Sequence, residues 1–265
     1  MRGQTGKGFV MPGIHQENEY LAFSSIGSEP QLAQIAVETE VALTVNGKEW
    51  LGFHCSPEHL ENLAVGFLFN ERFIDSAEEV SSVTICEGFD NIDVWLNHAI
   101  NKPERWNRTS GCQGGVSQRT NKGIKRILST EKHEIMEIQQ QVKAFLTTVG
   151  QLGDLRNGVH TTMLLDGLDV ISISNDIGRH NTLDKIAGDC MLGKKTPKKP
   201  VLLSTGRVSS DMVLKAERMG VALVISLHSI SSMAIGTASD LGVTLIGHAR
   251  LPKLNVYTHP EIITG

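Results

Sequence analysis

Apolar and polar residues along this chain follow two rhythms separated by a long polar interval. The first has a period of two: Val37, Thr39, Val41, Leu43 and Val45 alternate with polar or small residues, the pattern of a strand with one buried face. Asn46-Gly47 then predicts a tight hairpin turn, because both positions accept positive φ, and Trp50, Leu51 and Phe53 belong to the returning strand. Ser56-Pro57 reads as a helix start, a capping hydroxyl followed by a residue with preset φ. Leu60, Leu63, Ala64, Phe67 and Leu68 recur behind it at helical spacing. Short strands are expected at Val83–Cys86 and Asp93–Leu96, which makes residues 31–108 a small N-terminal α+β subdomain. Residues 1–30, rich in Gly, Ser and Gln without a sustained period, read as a loose tail.

The second rhythm alternates short apolar runs with helical stripes. A helix is expected over Glu131–Val149, with apolar residues at 135, 138, 142, 145, 146 and 149. A hairpin turns at Asp166-Gly167 and leads into a strand at Val170–Ser174. Asn181 then caps a helix whose apolar face is Leu183, Ile186, Ala187, Cys190 and Met191. Strands at Val201–Ser204, Val221–Ser226 and Val243–Gly247 are separated by helices starting at Ser209 and at Ser231 or Ser232. This order predicts an α/β domain over residues 131–265, a mainly parallel sheet flanked by helices.

Composition narrows the possibilities. The chain has 265 residues, 40% of them hydrophobic, which suits one large core or two small ones. Its 25 Lys+Arg against 29 Asp+Glu give a net charge of -4, so no nucleic-acid partner is expected. No run approaches a membrane span and no secretory h-region precedes the first strand, so no membrane partner is expected either. The four cysteines, Cys55, Cys86, Cys112 and Cys190, form no C-x-x-C pair, which argues against a zinc ribbon or a dithiol. Free thiols fit a cytoplasmic location. His54, Cys55 and His59 are close in sequence, but no fourth ligand is in view, so no metal held by protein side chains is expected.

The polar interval contains Thr109-Ser110-Gly111-Cys112-Gln113-Gly114-Gly115. A structural cysteine sits in an apolar run, whereas this one lies among glycines where access and thiolate formation are open to it. Residues 109–130 therefore read as a mobile cysteine loop, with a bare glycine linker as the other reading. The remaining chemistry lies after the strands of the second half, where α/β sheets bind ligands. Asn175–Asn181, Thr205–Ser209, Leu227–Ser232 and His248–Arg250 occupy these positions. Arg179, Arg207 and Arg250 would share one edge with helix N-termini, a pattern suited to phosphate and to a ligand larger than a mononucleotide. Asp176 is placed to orient Arg179 or His180, and Asp184 falls early in its helix. His160, before a strand, gains a role only if the fold brings it near Cys112. There an imidazolium would favour the thiolate. A thiol hydrolase using Cys112 and His160 would need a third orienting group that the sequence does not supply.

Several of these pieces in this order resemble the formate dehydrogenase accessory sulfurtransferases of the FdhD type. They are Asn46-Gly47, Ser56-Pro57 with Leu63–Leu68 and Glu71, Gly158-Val159-His160, Asp176-Ile177-Gly178-Arg179-His180-Asn181 with Leu183-Asp184-Lys185, Gly206-Arg207-Val208-Ser209, and Asn255-Val256-Tyr257-Thr258. The resemblance implies a cytidine deaminase-like core and a homodimer. It also implies a sulfur relay: a cysteine desulfurase loads a persulfide on Cys112, which passes sulfur to the molybdenum bis(molybdopterin guanine dinucleotide) cofactor, held as bound substrate, for formate dehydrogenase. The implied cofactor-binding residues are Arg179, His180, Arg207, Ser209, Ser229 and Ser231, with His248, Ala249, Arg250, Leu251, Pro252 and Lys253 from the C-terminal stretch; His160 is a candidate proton donor. A cofactor-binding chaperone without chemistry is the alternative. The deaminase zinc signature is absent from the sequence. Gly115 stands where many members carry a second cysteine, which excludes an internal disulfide within this loop and leaves a single-cysteine relay.

Overall fold

The computed structural model describes residues 13–103, 107–108, 116–117, 124–127, 131–152 and 158–265. It begins with a feature absent from the sequence expectation. Strands β1 (His15–Ser24) and β2 (Gly27–Ala36) pair antiparallel over their full length, so the segment read as a loose tail is, from residue 15, part of a hairpin with ten residues in each strand. No residue of either strand is buried.

The α+β subdomain is a four-stranded sheet in the order β4-β3-β6-β5, built from β3 (Thr39–Val45), β4 (Lys48–Cys55), β5 (Val80–Ile85) and β6 (Asn91–Leu96). Helix α1 (Leu60–Asn70) packs on it, with Leu60, Leu63, Ala64 and Phe67 against Val41, Leu43, Trp50 and Ile92. The helix starts later than Ser56-Pro57 suggests. His59, at φ 52°, is its N-cap residue, and Ser56 is engaged elsewhere: its N–H donates to Asp176 and its Oγ accepts from the Ile177 N–H.

Beyond it, β7 (Asn107–Arg108) pairs antiparallel with β8 (Val116–Ser117). Residues 124–127, within the stretch expected to be mobile, are docked on the protein body. Ile124 and Ile127 pack against the second-half core, and the Ile127 N–H donates to Leu241 O. Strand β9 (His133–Glu134) leads into helix α2 (Ile135–Leu152).

The larger sheet contains β10 (His160–Asp166), β11 (Asp169–Asp176), β12 (Pro200–Ser204), β13 (Leu223–Ser226), β14 (Thr244–Arg250) and β15 (Lys253–Val256), ordered β11-β10-β12-β13-β14-β15. It is mixed, which corrects the mainly parallel expectation. Only β12–β13 and β13–β14 pair parallel; β10 is antiparallel to both of its neighbours and β15 to β14. Periodicity reports which face of a strand is buried and carries no information about its direction. One face takes α2, with Ile138, Val142 and Phe145 against Met163, Leu203 and Ile225. The other takes α3 (Arg179–Leu192), α4 (Ser210–Arg218) and α5 (Ser232–Leu241) around Leu164, Leu202, Val224 and Leu245. A last short strand, β16 (Ile263–Thr264), pairs with β9.

Helices α1 and α3 join the two sheets at backbone contact. A Cβ added to Gly66 would lie 1.7 Å from Asp184 O, and one on Gly188 would lie 1.9 Å from Asn62 O. Only glycine permits that approach. Buried charges surround the crossing. Lys215 Nζ donates to both Asp184 oxygens at 2.7 Å and lies 3.4 Å from Glu71, Asn70 donates to Asp184, and Arg72 pairs with Glu217.

Candidate functional site

Strands β11 to β14 all run the same way, because two antiparallel steps separate β11 from β12. Their carboxyl ends therefore share one edge, and His160, paired with Asp176, opens β10 at that edge. A cavity of about 270 Å³ lies there, lined by Arg179, Arg207, Val208, Ser209, Ser229, Ile230 and Ser231. Five of the sequence-predicted binding residues meet in it.

Backbone pairing between two loops builds this cavity. Val208 bridges to Ile230, the Val208 N–H donates to Ser229 O, and the Ser231 N–H donates to Val208 O. Ser226 Oγ donates to Gly206 O and accepts from the His228 N–H, which locks the β12 and β13 loops together. Gly206 lies against Arg179, where an added Cβ would be 2.9 Å from the arginine Cβ. Arg179 is the first residue of α3 and is buried, whereas Arg207 is exposed. The N-termini of α4 and α5, at Ser209 and Ser231, face this region and supply N–H groups suited to an anion. Ser231 Oγ also accepts from the Ala234 N–H as a helix cap.

His180 lies behind the cavity wall, its Nε2 3.2 Å from Ser209 Oγ. Burial, reinforced by Lys215 and Arg179, pushes its pKa down to about 3. His160 is pushed down to about 4 by burial and then by Arg179, His228 and Arg207. Both rings are thus neutral near pH 7. An imidazolium at His160 is opposed by the same arginines that line the cavity, so its expected role as a thiolate-stabilising cation does not fit this electrostatic setting. His228, exposed in the loop after β13, is a neighbour of His160 to which the sequence reading of Leu227–Ser232 gave no role. The signal was its place directly before Ser229.

The C-terminal predicted residues form a separate group. His248, Ala249 and Arg250 end β14, and Leu251-Pro252, joined by a cis peptide, lead to Lys253 at the start of β15. They stand at the same edge, tied to the cavity loops through the His248 N–H donating to His228 O, but they are not part of the cavity lining. Cys112 lies outside the described residues, within the interval 109–115 that the β7–β8 pairing closes. The described cysteines are accounted for differently. Burial pushes the Cys55 thiol up to about 12 and the Cys190 thiol up to about 11. Cys86, only half-buried, donates to Asp90 Oδ1.

Comparison with known proteins fits this geometry to one lineage. The FdhD/NarQ family model matches residues 36–264. The chain belongs to that family. Among its relatives is the sulfur carrier protein FdhD of Bacillus subtilis (strain 168), 34% identical over 235 residues that cover 85% of this chain and 89% of the relative. The protein of the same name from Staphylococcus aureus (strain MRSA252) is 31% identical over 236 residues, covering 87% and 89%. A crystal structure described as that of a formate dehydrogenase accessory protein from Desulfotalea psychrophila superposes with a TM-score of 0.78 at 26% identity. It covers 95% of this chain and all of its own.

With the FdhD/NarQ assignment in place, the chain's most distinctive string, Asp176 to Lys185, divides into two roles. Arg179 reaches the cavity and His180 backs it. The others build the frame. Asp176, fully buried, accepts from the Ser56 N–H, the Gly178 N–H and Asn181 Nδ2 and pairs with Lys185 at 2.6 Å. Lys185 Nζ also donates to Ser56 O. Asn181 is not the helix cap, which is Gly178; its amide instead reaches His54 O and Asp176. Asp176 thus fastens the two sheets together, in place of the orienting role expected for it, and Asp184 serves Lys215 rather than the helix dipole.

Proposed function

We propose that this FdhD/NarQ chain is a sulfur carrier for formate dehydrogenase maturation. In this reading Cys112 accepts sulfur from the persulfide of a cysteine desulfurase: the Cys112 thiolate attacks the sulfane sulfur, and the donor cysteine leaves as its thiolate. The outer sulfur of the Cys112 persulfide then passes to reduced molybdenum bis(molybdopterin guanine dinucleotide), bound as substrate at the strand-end edge: the S–S bond breaks, Cys112 leaves as its thiolate, and the two electrons that bring the sulfur to the sulfide level come from the reduced substrate. The chain acts in the cytoplasm as a homodimer on a cytidine deaminase-like scaffold, and its sulfurtransferase activity requires one cysteine per loop.

The observation that carries the reading is the cavity where Arg179, Arg207, Ser209, Ser229 and Ser231 converge on two helix N-termini. Its chemistry suits phosphate oxygens. Its volume, about 270 Å³, is at the small end for ligand sites and fits a phosphorylated fragment of the cofactor, with His248–Lys253 placed to meet more of it along the same edge. Cys55 and Cys190, with thiols pushed far above the working range, are poor nucleophiles, and the Cys86 thiol is engaged with Asp90, which favours Cys112 as the carrier.

Intact-mass analysis after incubation with a cysteine desulfurase and cysteine tests the relay. A gain of one sulfur, mapped to the peptide containing Cys112 and lost in Cys112→Ala, is expected. If a known acceptor is loaded under the same conditions and this chain is not, the relay is wrong and the chaperone reading replaces it.

A further inference from the structure

Helices α4 and α5 run from the strand-end cavity to a second feature at their carboxyl ends. Their N-cap residues, Ser209 and Ser231, line the cavity. Glu217 and Leu241 lie in their last turns, about 12–15 Å further along the axes at ~1.5 Å per residue. A helix ends in carbonyls without an intrahelical partner, and here another part of the chain takes one. The Ile127 N–H donates to Leu241 O at 2.7 Å, and the Lys125 N–H donates to Glu217 Oε1 at 3.0 Å. Ile124 and Ile127 pack on the core that both helices share.

Two details fit this seat to a backbone. Glu217 is buried, and a carboxylate out of water needs partners for its oxygens. Arg72 of the α+β subdomain pairs with Oε2, and the Lys125 N–H takes Oε1. Segment 124–127 thus completes a buried charge where the two subdomains meet. Gly242 supplies the second detail. It caps α5 at φ 75°, and an added Cβ would lie 2.3 Å from Ile127 O. Gly220, just after α4, has the same left-handed conformation at φ 73°, but an added Cβ there would meet nothing within 4 Å. The close approach at Gly242 is therefore a property of the docked segment and not of a helix end.

We infer that Glu217, Leu241 and Gly242 form a positioning seat for the interval that carries Cys112, fastening its C-terminal root to the two helices whose opposite ends build the cavity. Cys112 lies twelve residues before Ile124, and a chain of that length spans at most about 40 Å, enough to run the length of either helix. The seat limits how far from the cavity the thiol can stray. Without it, and with the root at Lys102, which donates to Glu49 O, unchanged, the next residue held is His133, paired with Ile263 and twenty-one residues from Cys112. Effective concentration falls roughly as the −3/2 power of tether length, so release lowers it about 2-fold. The inference rests on Cys112 being the carrier of the proposed function. Glu217 acts through the segment and touches neither sulfur nor ligand.

The test puts a reporter thiol in the cavity. In the full chain carrying Arg207→Cys, oxidised glutathione joins Cys112 to the introduced thiol, taking up the two electrons and the two protons as two reduced glutathiones. Peptide mass mapping of the 28.9 kDa single-chain band, over a series of glutathione ratios, reads the effective concentration. Gly242→Ala is expected to lower it about 2-fold or more, and Gly220→Ala, with equal backbone strain, to leave it unchanged. Ile124→Asp/Ile127→Asp, which alters neither helix, is expected to lower it as Gly242→Ala does and decides the matter if that variant fails to fold. Cys112 loading by a desulfurase, measured without Arg207→Cys, is expected to be the same in every variant. Equal linkage throughout, an equal fall in Gly220→Ala, or a link formed only between two chains overturns the seat and leaves the relay standing. A wild-type chain that takes up no sulfur overturns the carrier reading beneath it, a failure that the linkage assay does not mimic.

Discussion

Asp176→Ala separates a structural from a ligand-binding account of the family string. The substitution removes a fully buried carboxylate and strands the ammonium of Lys185, itself 1% exposed, with only the Ser56 and Asn175 carbonyls left to it. It also deprives the Ser56 and Gly178 N–H groups of their acceptor and leaves the Asn181 amide with His54 O alone of its two acceptors. Breaking a buried pair from one side costs about 3–5 kcal/mol, and each abandoned donor adds up to about 1 kcal/mol where water does not enter. A total of about 4–6 kcal/mol is expected, a large share of the ~5–15 kcal/mol that holds a typical domain. Lys185→Met is expected to cost less, about 2–3 kcal/mol, since the carboxylate keeps three N–H donors. Urea unfolding followed by circular dichroism measures both, and GDP titration at a temperature where each variant is folded measures the site. If Asp176→Ala unfolds within 1 kcal/mol of wild type but loses GDP, the residue serves the ligand and the structural account is wrong.

Other outcomes follow from the same geometry. Arg207→Ala, exposed and free to change without unfolding, is expected to weaken binding of GDP, used as a probe for the phosphorylated guanine end of the proposed substrate, about 10–100-fold by calorimetry, the worth of a charged hydrogen bond. Gly66→Ala is expected to cost about 3 kcal/mol or more, or to yield insoluble chain, because its Cβ would meet Asp184 O at 1.7 Å and no side-chain rotation relieves a backbone clash. His160, His180 and His133 have folded pKa values lowered to about 4, 3 and 4. The unfolded chain therefore binds more protons than the folded one below about pH 6.5. Stability is full above that value and falls as pH drops toward 4, by up to about 1.4 kcal/mol per pH unit for each histidine. Urea midpoints at pH 7, 6 and 5 check it, and a flat profile refutes it. Cys112→Ser is expected to abolish sulfur loading by mass analysis and leave the urea midpoint unchanged.

Much of the fold was legible because its strands and helices bury one face and show it. Val41, Leu43 and Val45 alternate inward as their spacing indicates, and the strand-end loops place Arg179, Arg207 and the serines together because connection order and strand direction suffice for that. What escaped has specific causes. The β1–β2 ribbon has no buried face within its own chain, so its strands lack the contrast that marks a strand. Ser56 and Asn181 have cap chemistry but are drawn to Asp176 and His54 by contacts across more than a hundred residues, which local spacing does not encode. The direction of β10 left no trace in its composition.

The Gly66–Gly188 crossing also bears on how this family can be recombined. Two surfaces that meet at backbone distance have no side-chain layer to absorb a change in helix angle. A chimera joining the α+β subdomain of one relative to the α/β domain of another therefore inherits two helices shaped by different partners. Such hybrids should fold only when α1 and α3 come from the same parent, which makes this helix pair, rather than either sheet, the unit of inheritance.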